Sequence, residues 1–279
     1  MTPYDHARPG AVPNTVPFFT LAFAITWGMQ VPALAARNGL LPGPTEAYLP
    51  FAMLGVLGPM IAATWLVARS GGRRAVSGLF SGMRLWRASP LQWAMALAIP
   101  GTLLSGALVL SRAIGYSGPV VLLPEPERLV AGAVIAVAEE IAWRGYALPR
   151  LQARYGAFAA SGMLGALWTV WHIPMFMGLG VPLTVLPWMF LFFIGGSLLF
   201  TWLFNRSGGS LMLVTVAHYA ANLNNSHAAL PDNVVPLIYH SLIYAALGLG
   251  IALCDRYTFP ELRKRRHRTN GWRQQTSVS

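Results

Sequence analysis

The sequence predicts an all-α protein, a polytopic transmembrane helical bundle of about eight spans. Of 279 residues, 55% are hydrophobic and 10% are charged, which leaves too little polar surface to cover a soluble globule of this size. Apolar stretches of roughly 20 residues, long enough to cross the hydrocarbon core as a helix, recur along most of the chain. Because an unpaired peptide group in lipid is costly and no stretch alternates like a barrel strand, each span is expected to be helical.

The predicted spans follow one another with short connections and leave no room for a second, soluble domain. They cover residues 16–36, 48–68, 90–111, 129–148, 157–177, 185–204, 210–224 and 235–254. The seventh is short. A single membrane domain over residues 1–279 is therefore expected, followed at its end by a basic cytoplasmic tail, residues 255–279.

The positive charges predict the orientation of the bundle. A net charge of +11 in a soluble protein would suggest nucleic acid as a partner, but here the placement of the charges matters more than their sum. If the spans alternate, one side holds only Arg37, Arg112 and Arg128. The other side holds Arg8, Arg69, Arg73, Arg74, Arg84, Arg87, Arg150, Arg154, Arg206, Arg256, Arg263, Lys264, Arg265, Arg266, Arg268 and Arg273. Since cytoplasmic loops retain Lys and Arg, both termini are expected in the cytoplasm of a multi-pass cell-membrane protein, with no nucleic-acid partner.

Three shorter features complete the organisation of the chain. Residues 71–89 mix apolar side chains with arginines and are expected to form an amphipathic helix along the cytoplasmic interface. Residues 33–35 read Ala-Leu-Ala, like a signal-peptide cleavage site, but the apolar stretch is longer than an ordinary signal core, so the first span is expected to be retained. A single cysteine, Cys254, excludes an internal disulfide framework.

Two adjacent acids are the only ones inside the predicted spans. Glu139 and Glu140 occur in the segment AEEIAWRGY. A carboxyl group near mid-bilayer costs at least a few kcal/mol, so it is expected to face a protein interior or a watery cavity and to serve a function. Residues four apart share a helix face, so Glu140 is predicted to pair with Arg144. Glu139 lies over Trp143 and has no cation at that spacing, which suits a general base.

Two histidines lie on other predicted spans. His172, in LWTVWHIP, shares a face with Trp168, and Pro174 predicts a kink or helix end beside it. His218 and Asn222, in VAHYAANLN, stand four apart. Neutral His and Asn each present N–H groups that suit a developing oxyanion. Taken alone, each histidine is equally compatible with a role in helix packing. His240 and His227 are interpreted as a packing residue and a loop residue.

At these residues the sequence resembles the CAAX-prenyl-protease and bacteriocin-processing family of membrane proteins, also called the ABI family. The signature Glu-Glu-x-x-x-Arg matches Glu139, Glu140 and Arg144, and aromatic-x-x-x-His matches Trp168 and His172. His-x-x-x-Asn matches His218 and Asn222. The resemblance covers residues 129–225. Trp168 stands where the motif often has Phe.

The resemblance implies an intramembrane endopeptidase that acts on a membrane-associated protein or peptide. Glu139, helped by His172, would activate water, and His218 and Asn222 would form the oxyanion hole. Glu140, Arg144 and Trp168 would support the site. No metal or other cofactor is expected, since there is no His-Glu-x-x-His motif. Zinc held by two histidines and a glutamate remains the alternative.

Two other functions fit the same residues. Intramembrane Glu and His also mark ion pathways, so an ion-coupled or proton-coupled transporter is one alternative. A noncatalytic immunity or scaffold protein that works by binding is the other. Prenylated substrates are not predicted by the residues themselves.

Overall fold

The computed structural model describes residues 15–86, 88–118, 126–224, 234–255 and 257–262, and within these residues it contains helices and no strand. The α-helices are α1 (Val16–Arg37), α2 (Leu49–Leu54), α3 (Gly58–Ser81), α4 (Pro90–Ala113), α5 (Pro126–Glu140), α6 (Leu148–Tyr155), α7 (Ala157–Gly178), α8 (Leu186–Arg206), α9 (Leu211–Asn224) and α10 (Val234–Cys254). The predicted all-α class is confirmed.

The second predicted span is helical but consists of three pieces. They are α2, a tight 3₁₀ turn at Gly55–Leu57 and the first part of α3. Inside α3 the helix breaks at Gly71 and Gly72, where Gly72 has φ of 57°, a conformation that glycine adopts without the steric cost of a Cβ. The residues after this break are helical as far as Ser81, so helix is confirmed for much of the predicted interfacial segment 71–89. Its position at a lipid surface stays a prediction.

The fourth predicted span also departs from one regular helix. After α5, residues Ile141–Ala147 form a wider π-helical stretch, which leads directly into α6. Pro149 stands in the first turn of α6. A proline cannot donate a backbone hydrogen bond to the carbonyl four residues earlier, so the regular ladder is interrupted here. The irregular stretch follows directly after the two glutamates.

The other predicted spans each correspond to one helix. Pro174 was expected either to kink its helix or to end it. It does not end the helix, because α7 continues to Gly178. The short seventh predicted span is confirmed as a helix, α9, which has 14 residues. Ser210 begins it, since the Ser210 hydroxyl accepts a hydrogen bond from the Leu213 backbone N–H at 3.1 Å and so acts as an N-cap.

Five helical segments among the described residues are long and apolar enough to cross a membrane. They are Val16–Arg37, Leu49–Arg84, Pro90–Ala113, Leu183–Arg206 and Val234–Cys254. The predicted count of eight spans is thus larger than the number that length and hydropathy support. The helices outside this set, α5 with α6, α7 and α9, carry the polar residues singled out in the sequence. An intramembrane charge is tolerated where neighbouring helices enclose it.

Helices α8 and α10 approach each other at glycines. A methyl group added at Gly195 would lie 2.5 Å from the carbonyl carbon of Tyr244, and one added at Gly248 would lie 2.5 Å from the carbonyl oxygen of Gly195. Small residues that let two backbones approach closely are the usual packing device between membrane helices. This packing brings α10 against α8.

The loops rich in arginine meet at one end of the bundle. The side chains of Gln152 and Asn205 exchange hydrogen bonds there, and the Arg206 guanidinium bonds the Asp255 carboxylate at 2.7 Å. Burial opposes ionisation of Asp255, but hydrogen bonds from Arg206, Tyr257 and Trp202 lower the pKa of this carboxyl below its ordinary value. The end of α8 and the end of α10 are therefore tied together on the side that the charge pattern assigned to the cytoplasm.

Candidate active site

Glu139 is buried near the end of α5 and is held by two tryptophans. Its side chain is 1% exposed. The Trp168 indole Nε1 donates to Glu139 Oε2 at 2.6 Å, and the Trp143 Nε1 donates to the same oxygen at 3.1 Å. The predicted placement of Glu139 over Trp143 is confirmed, and the sequence analysis missed that Trp168 also reaches this carboxylate from α7.

Glu140 points to a different set of partners, as the helical spacing predicted. Its Oε1 accepts from Arg144 Nη1 at 2.9 Å, and both side chains are fully buried. The same oxygen lies 2.8 Å from Nδ1 of His218 on α9. Arg144 also stacks its guanidinium carbon 4.7 Å from the centre of the Trp168 ring. The charge of Glu140 is thus compensated within the protein, and the contact between Glu140 and His218 links α5 to α9.

His172 is fixed in one tautomer by its own helix. Its Nδ1 lies 2.8 Å from the backbone carbonyl oxygen of Trp168. Because a carbonyl accepts, Nδ1 must carry the hydrogen, and Nε2 of the neutral ring is left as an acceptor. The His172 ring is stacked against Phe193 with centroids 4.6 Å apart, which restricts its rotation. The site therefore presents a histidine lone pair.

His218 and Asn222 lie on one face of α9, as predicted. Nδ1 of His218 faces the Glu140 carboxylate, so this nitrogen carries a hydrogen. Asn222 Nδ2 donates to the backbone carbonyl of Gly132 on α5 at 3.3 Å. An amide nitrogen has two hydrogens, so Asn222 retains a second N–H. This geometry changes one expectation, because a neutral His218 in this tautomer offers a lone pair at Nε2, and it offers a donor there only when both nitrogens are protonated.

One cavity connects these side chains. It has a volume of about 350 Å³ and is lined by Glu139, Trp168, His172, His218 and Asn222 together with apolar side chains of α2, α5, α7, α8, α9 and α10. Glu140 and Arg144 do not line it. The structure therefore brings the four predicted catalytic residues and Trp168 to one cavity, while Glu140 and Arg144 are buried outside its lining. Tyr244 of α10, which the sequence analysis did not single out, also lines the cavity.

Comparison with known proteins identifies the region that contains this cavity's polar residues. Residues 125–224 match the model of a family described as type II CAAX prenyl endopeptidase Rce1-like. The region of the site is therefore similar to this family. CAAX prenyl protease 2 of Methanococcus maripaludis is 28% identical over 142 residues, an alignment that covers 45% of this chain and 49% of that protein. The match thus spans about half the length of the curated relative.

All of the predicted site residues fall inside the matched region, residues 125–224. They are Glu139, Glu140, Arg144, Trp168, His172, His218 and Asn222. Trp143 lies there too and is a site residue that the sequence analysis did not include. The sequence did indicate this role for Trp143, because the residue stands four positions after Glu139 and its indole is a hydrogen-bond donor.

The arrangement of possible metal ligands differs from that of a metal centre. Among the described residues, no group of three His, Cys, Asp or Glu side chains is placed to hold an ion. Nδ1 of each site histidine is already engaged by an oxygen of the protein. Reaction without a metal, with zinc as the alternative, stays a prediction.

Proposed function

We propose that this protein is an endopeptidase that hydrolyses a peptide bond of a membrane-associated protein or peptide inside the bundle. The observation that carries the proposal is the meeting of Glu139 and His172 at one cavity, each with an acceptor atom that no described residue occupies. Glu139 Oε2 is taken by the two indoles and Nδ1 of His172 by the Trp168 carbonyl. Oε1 and Nε2 are the acceptors that remain.

These two acceptors suit the activation of water. A water molecule has two hydrogens, so it can donate one to Glu139 Oε1 and one to His172 Nε2 while its lone pair faces a peptide carbonyl. Attack forms the carbon–oxygen bond as Glu139 takes the proton. The proton then passes to the leaving nitrogen, the carbon–nitrogen bond breaks, and the products are a carboxylic acid and an amine.

The side chains from α9 suit stabilisation of the tetrahedral intermediate. The second N–H of Asn222 is available for the oxyanion. His218 contributes a donor at Nε2 in its imidazolium form, in which both ring nitrogens carry a hydrogen and Nδ1 lies 2.8 Å from the Glu140 carboxylate. With a protonated His218, the charges of Glu139, Glu140, Arg144 and His218 sum to zero, which lowers the cost of burying them together. Each donor of this kind is worth a factor of about 100 to 1,000 in rate.

The lining of the cavity favours an internal peptide bond. Among the described residues that line it, none is Lys or Arg. A free C-terminal carboxylate would therefore have no Lys or Arg side chain to pair with when it leaves water. The mostly apolar wall instead suits a peptide segment that is itself lipid-attached or apolar. Prenylated C-terminal peptides are one candidate, which the name of the archaeal relative suggests.

Cleavage by the purified protein in lipid vesicles tests the proposal. The substrates are membrane-tethered peptides with and without a prenyl group, and mass spectrometry of the products locates the bond that is cut. We expect cleavage by the native protein and a loss of about 100-fold or more in kcat/KM for His172→Asn, which removes the acceptor Nε2. A metal chelator should leave the native rate unchanged.

His240→Asn is the matched control, because His240 is a buried histidine on α10 outside the cavity. It should leave kcat/KM close to that of the native protein. The catalytic role of His172 would be wrong if both variants lost activity equally. The whole proposal would be wrong if none of the peptides were cleaved.

We also propose that both termini lie in the cytoplasm, which the meeting of the basic loops at one end of the bundle supports. Cys254 is exposed at the end of α10, on the side assigned to the cytoplasm, and it is the only cysteine of the chain. A membrane-impermeant maleimide should label Cys254 in inside-out vesicles and leave it unlabelled in right-side-out vesicles. The opposite pattern would reverse the proposed orientation.

A further inference from the structure

We infer that Trp168 and Trp143 are positioning residues that hold Glu139 in the geometry needed for water activation, an inference that rests on the proposed function. Both indole N–H groups bond the same carboxylate oxygen, at 2.6 Å and 3.1 Å. We call this pair of indoles, Trp168 and Trp143, the indole clamp. It comes from two different helical segments, α7 and the π-helical stretch, so it also fixes Glu139 relative to His172.

The indole clamp makes the two oxygens of Glu139 unequal. Oε2 receives two donors, and among the described residues Oε1 receives none. A carboxylate without the clamp can turn freely about its last bond. Two donors that converge on one oxygen position fix the plane of the carboxylate, because turning the group away from that position breaks both hydrogen bonds. Oε1 is thereby kept as the oxygen that meets water, which is the condition for an efficient general base.

The indole clamp also supplies the direct hydrogen bonds that compensate the charge of Glu139. Arg144 is a nearby cation, but its Nη1 bonds Glu140. A carboxylate in an apolar interior must be compensated by hydrogen bonds or by an ion pair. Trp168 contacts both Arg144 and Glu139. The Arg144 guanidinium carbon lies 4.7 Å from the centre of the Trp168 ring, and the Trp168 indole N–H donates to Glu139. A cation over an aromatic face is attractive, and it leaves the indole N–H free to donate to Glu139.

The variant Trp168→Phe tests the inference, because it keeps an aromatic ring against Arg144 and His218 and removes only the N–H side of the indole. Hydrogen bonds to charged groups are strong enough that we expect kcat to fall by about 10- to 100-fold. The loss should fall on kcat more than on KM, since the lost N–H acts on the catalytic carboxylate, while the part of Trp168 that lines the cavity is replaced by another aromatic ring. Trp143→Phe should act in the same direction with a smaller loss, as its hydrogen bond is longer.

Trp171→Phe is the matched control. Trp171 lies on the same helix as Trp168, it is fully buried, and its indole N–H has no hydrogen-bond partner among the described residues. It therefore loses the same atoms from the same kind of environment without losing a bond to Glu139. We expect kcat and KM of Trp171→Phe to match those of the native protein, with any loss of packing appearing in the unfolding temperature.

Coupling to Glu139 separates positioning from a general structural effect. In a Glu139→Gln background, the further change Trp168→Phe should leave the residual rate unaltered, because the base on which the clamp acts is gone. The inference would be overturned by an unchanged kcat in both Trp168→Phe and Trp143→Phe, by an equal loss in Trp171→Phe, or by a full loss in the Glu139→Gln background. If the native protein cleaves and Glu139→Gln cleaves far more slowly, such results overturn this inference alone. If the native protein does not cleave, the proposed function fails and this inference fails with it.

Discussion

Replacing Glu139 by glutamine should lower kcat for peptide cleavage by about 1,000-fold, within the range that a general base supplies. Glutamine has nearly the same shape, and its amide oxygen can still accept the hydrogen bonds that Trp143 and Trp168 donate. Its amide cannot take a proton from water. The substitution therefore removes the base and keeps the packing. Initial rates with a membrane-tethered peptide, together with the unfolding temperature of both proteins, measure the effect.

Glu46→Gln is the matched control for this substitution, since Glu46 is an exposed glutamate in the segment between α1 and α2. It should leave kcat and KM at the native values. A Glu139→Gln protein that retains a tenth or more of the native kcat, a loss no larger than about 1.4 kcal/mol in transition-state stabilisation, would contradict the assignment of Glu139 as the base. The cavity would then need another base, and His172 would be the first to test.

Replacing Arg144 by methionine should lower the free energy of unfolding by about 3 to 5 kcal/mol, the usual cost of removing one partner of a buried ion pair. Arg144 and Glu140 are both fully buried and lie 2.9 Å apart. Methionine fills much of the volume of arginine but leaves Glu140 as a buried carboxylate with His218 as its remaining partner. Unfolding by denaturant in detergent micelles measures the loss.

The double variant Glu140→Gln with Arg144→Met separates loss of the ion pair from loss of packing. It removes both charges, and the glutamine oxygen can still accept from His218. We expect it to be more stable than Arg144→Met alone, because the buried carboxylate that the single variant leaves without its arginine is gone. Arg69→Met, on the exposed part of α3, is the surface control and should change stability by less than about 1 kcal/mol. Equal losses in the single and the double variant would show that Arg144 acts through its volume.

Several parts of the site followed from helical periodicity alone. The contacts of Glu139 with Trp143 and of Glu140 with Arg144 both span four residues, and both were predicted because neighbouring turns of one helix place such side chains together. The π-helical stretch that begins at Ile141 did not break either contact. The pairing of His218 with Asn222 on one face of α9 was predictable for the same reason.

Contacts between helices were not predictable in this way. Trp168 was predicted as a supporting residue on the face of His172, but its hydrogen bond to Glu139 crosses 29 residues of sequence. The bond between His218 and Glu140 crosses 78. No periodicity relates positions on different helices, since their relative rotation is set by the packing of the whole bundle. The role expected for His218 changed for this reason, because its partner decides which nitrogen carries the hydrogen.

The sequence by itself determined that this chain is a helical membrane protein, where its helices lie, and which polar residues share a helix face. Those properties depend on local hydropathy and on the 3.6-residue repeat, which each segment carries within itself. Only the tertiary structure decided that the two indoles hold one oxygen of Glu139, that Glu140 belongs to His218 as well as to Arg144, and that the remaining acceptors meet at one cavity. These properties depend on distances between helices, and those distances exist only after the helices have packed.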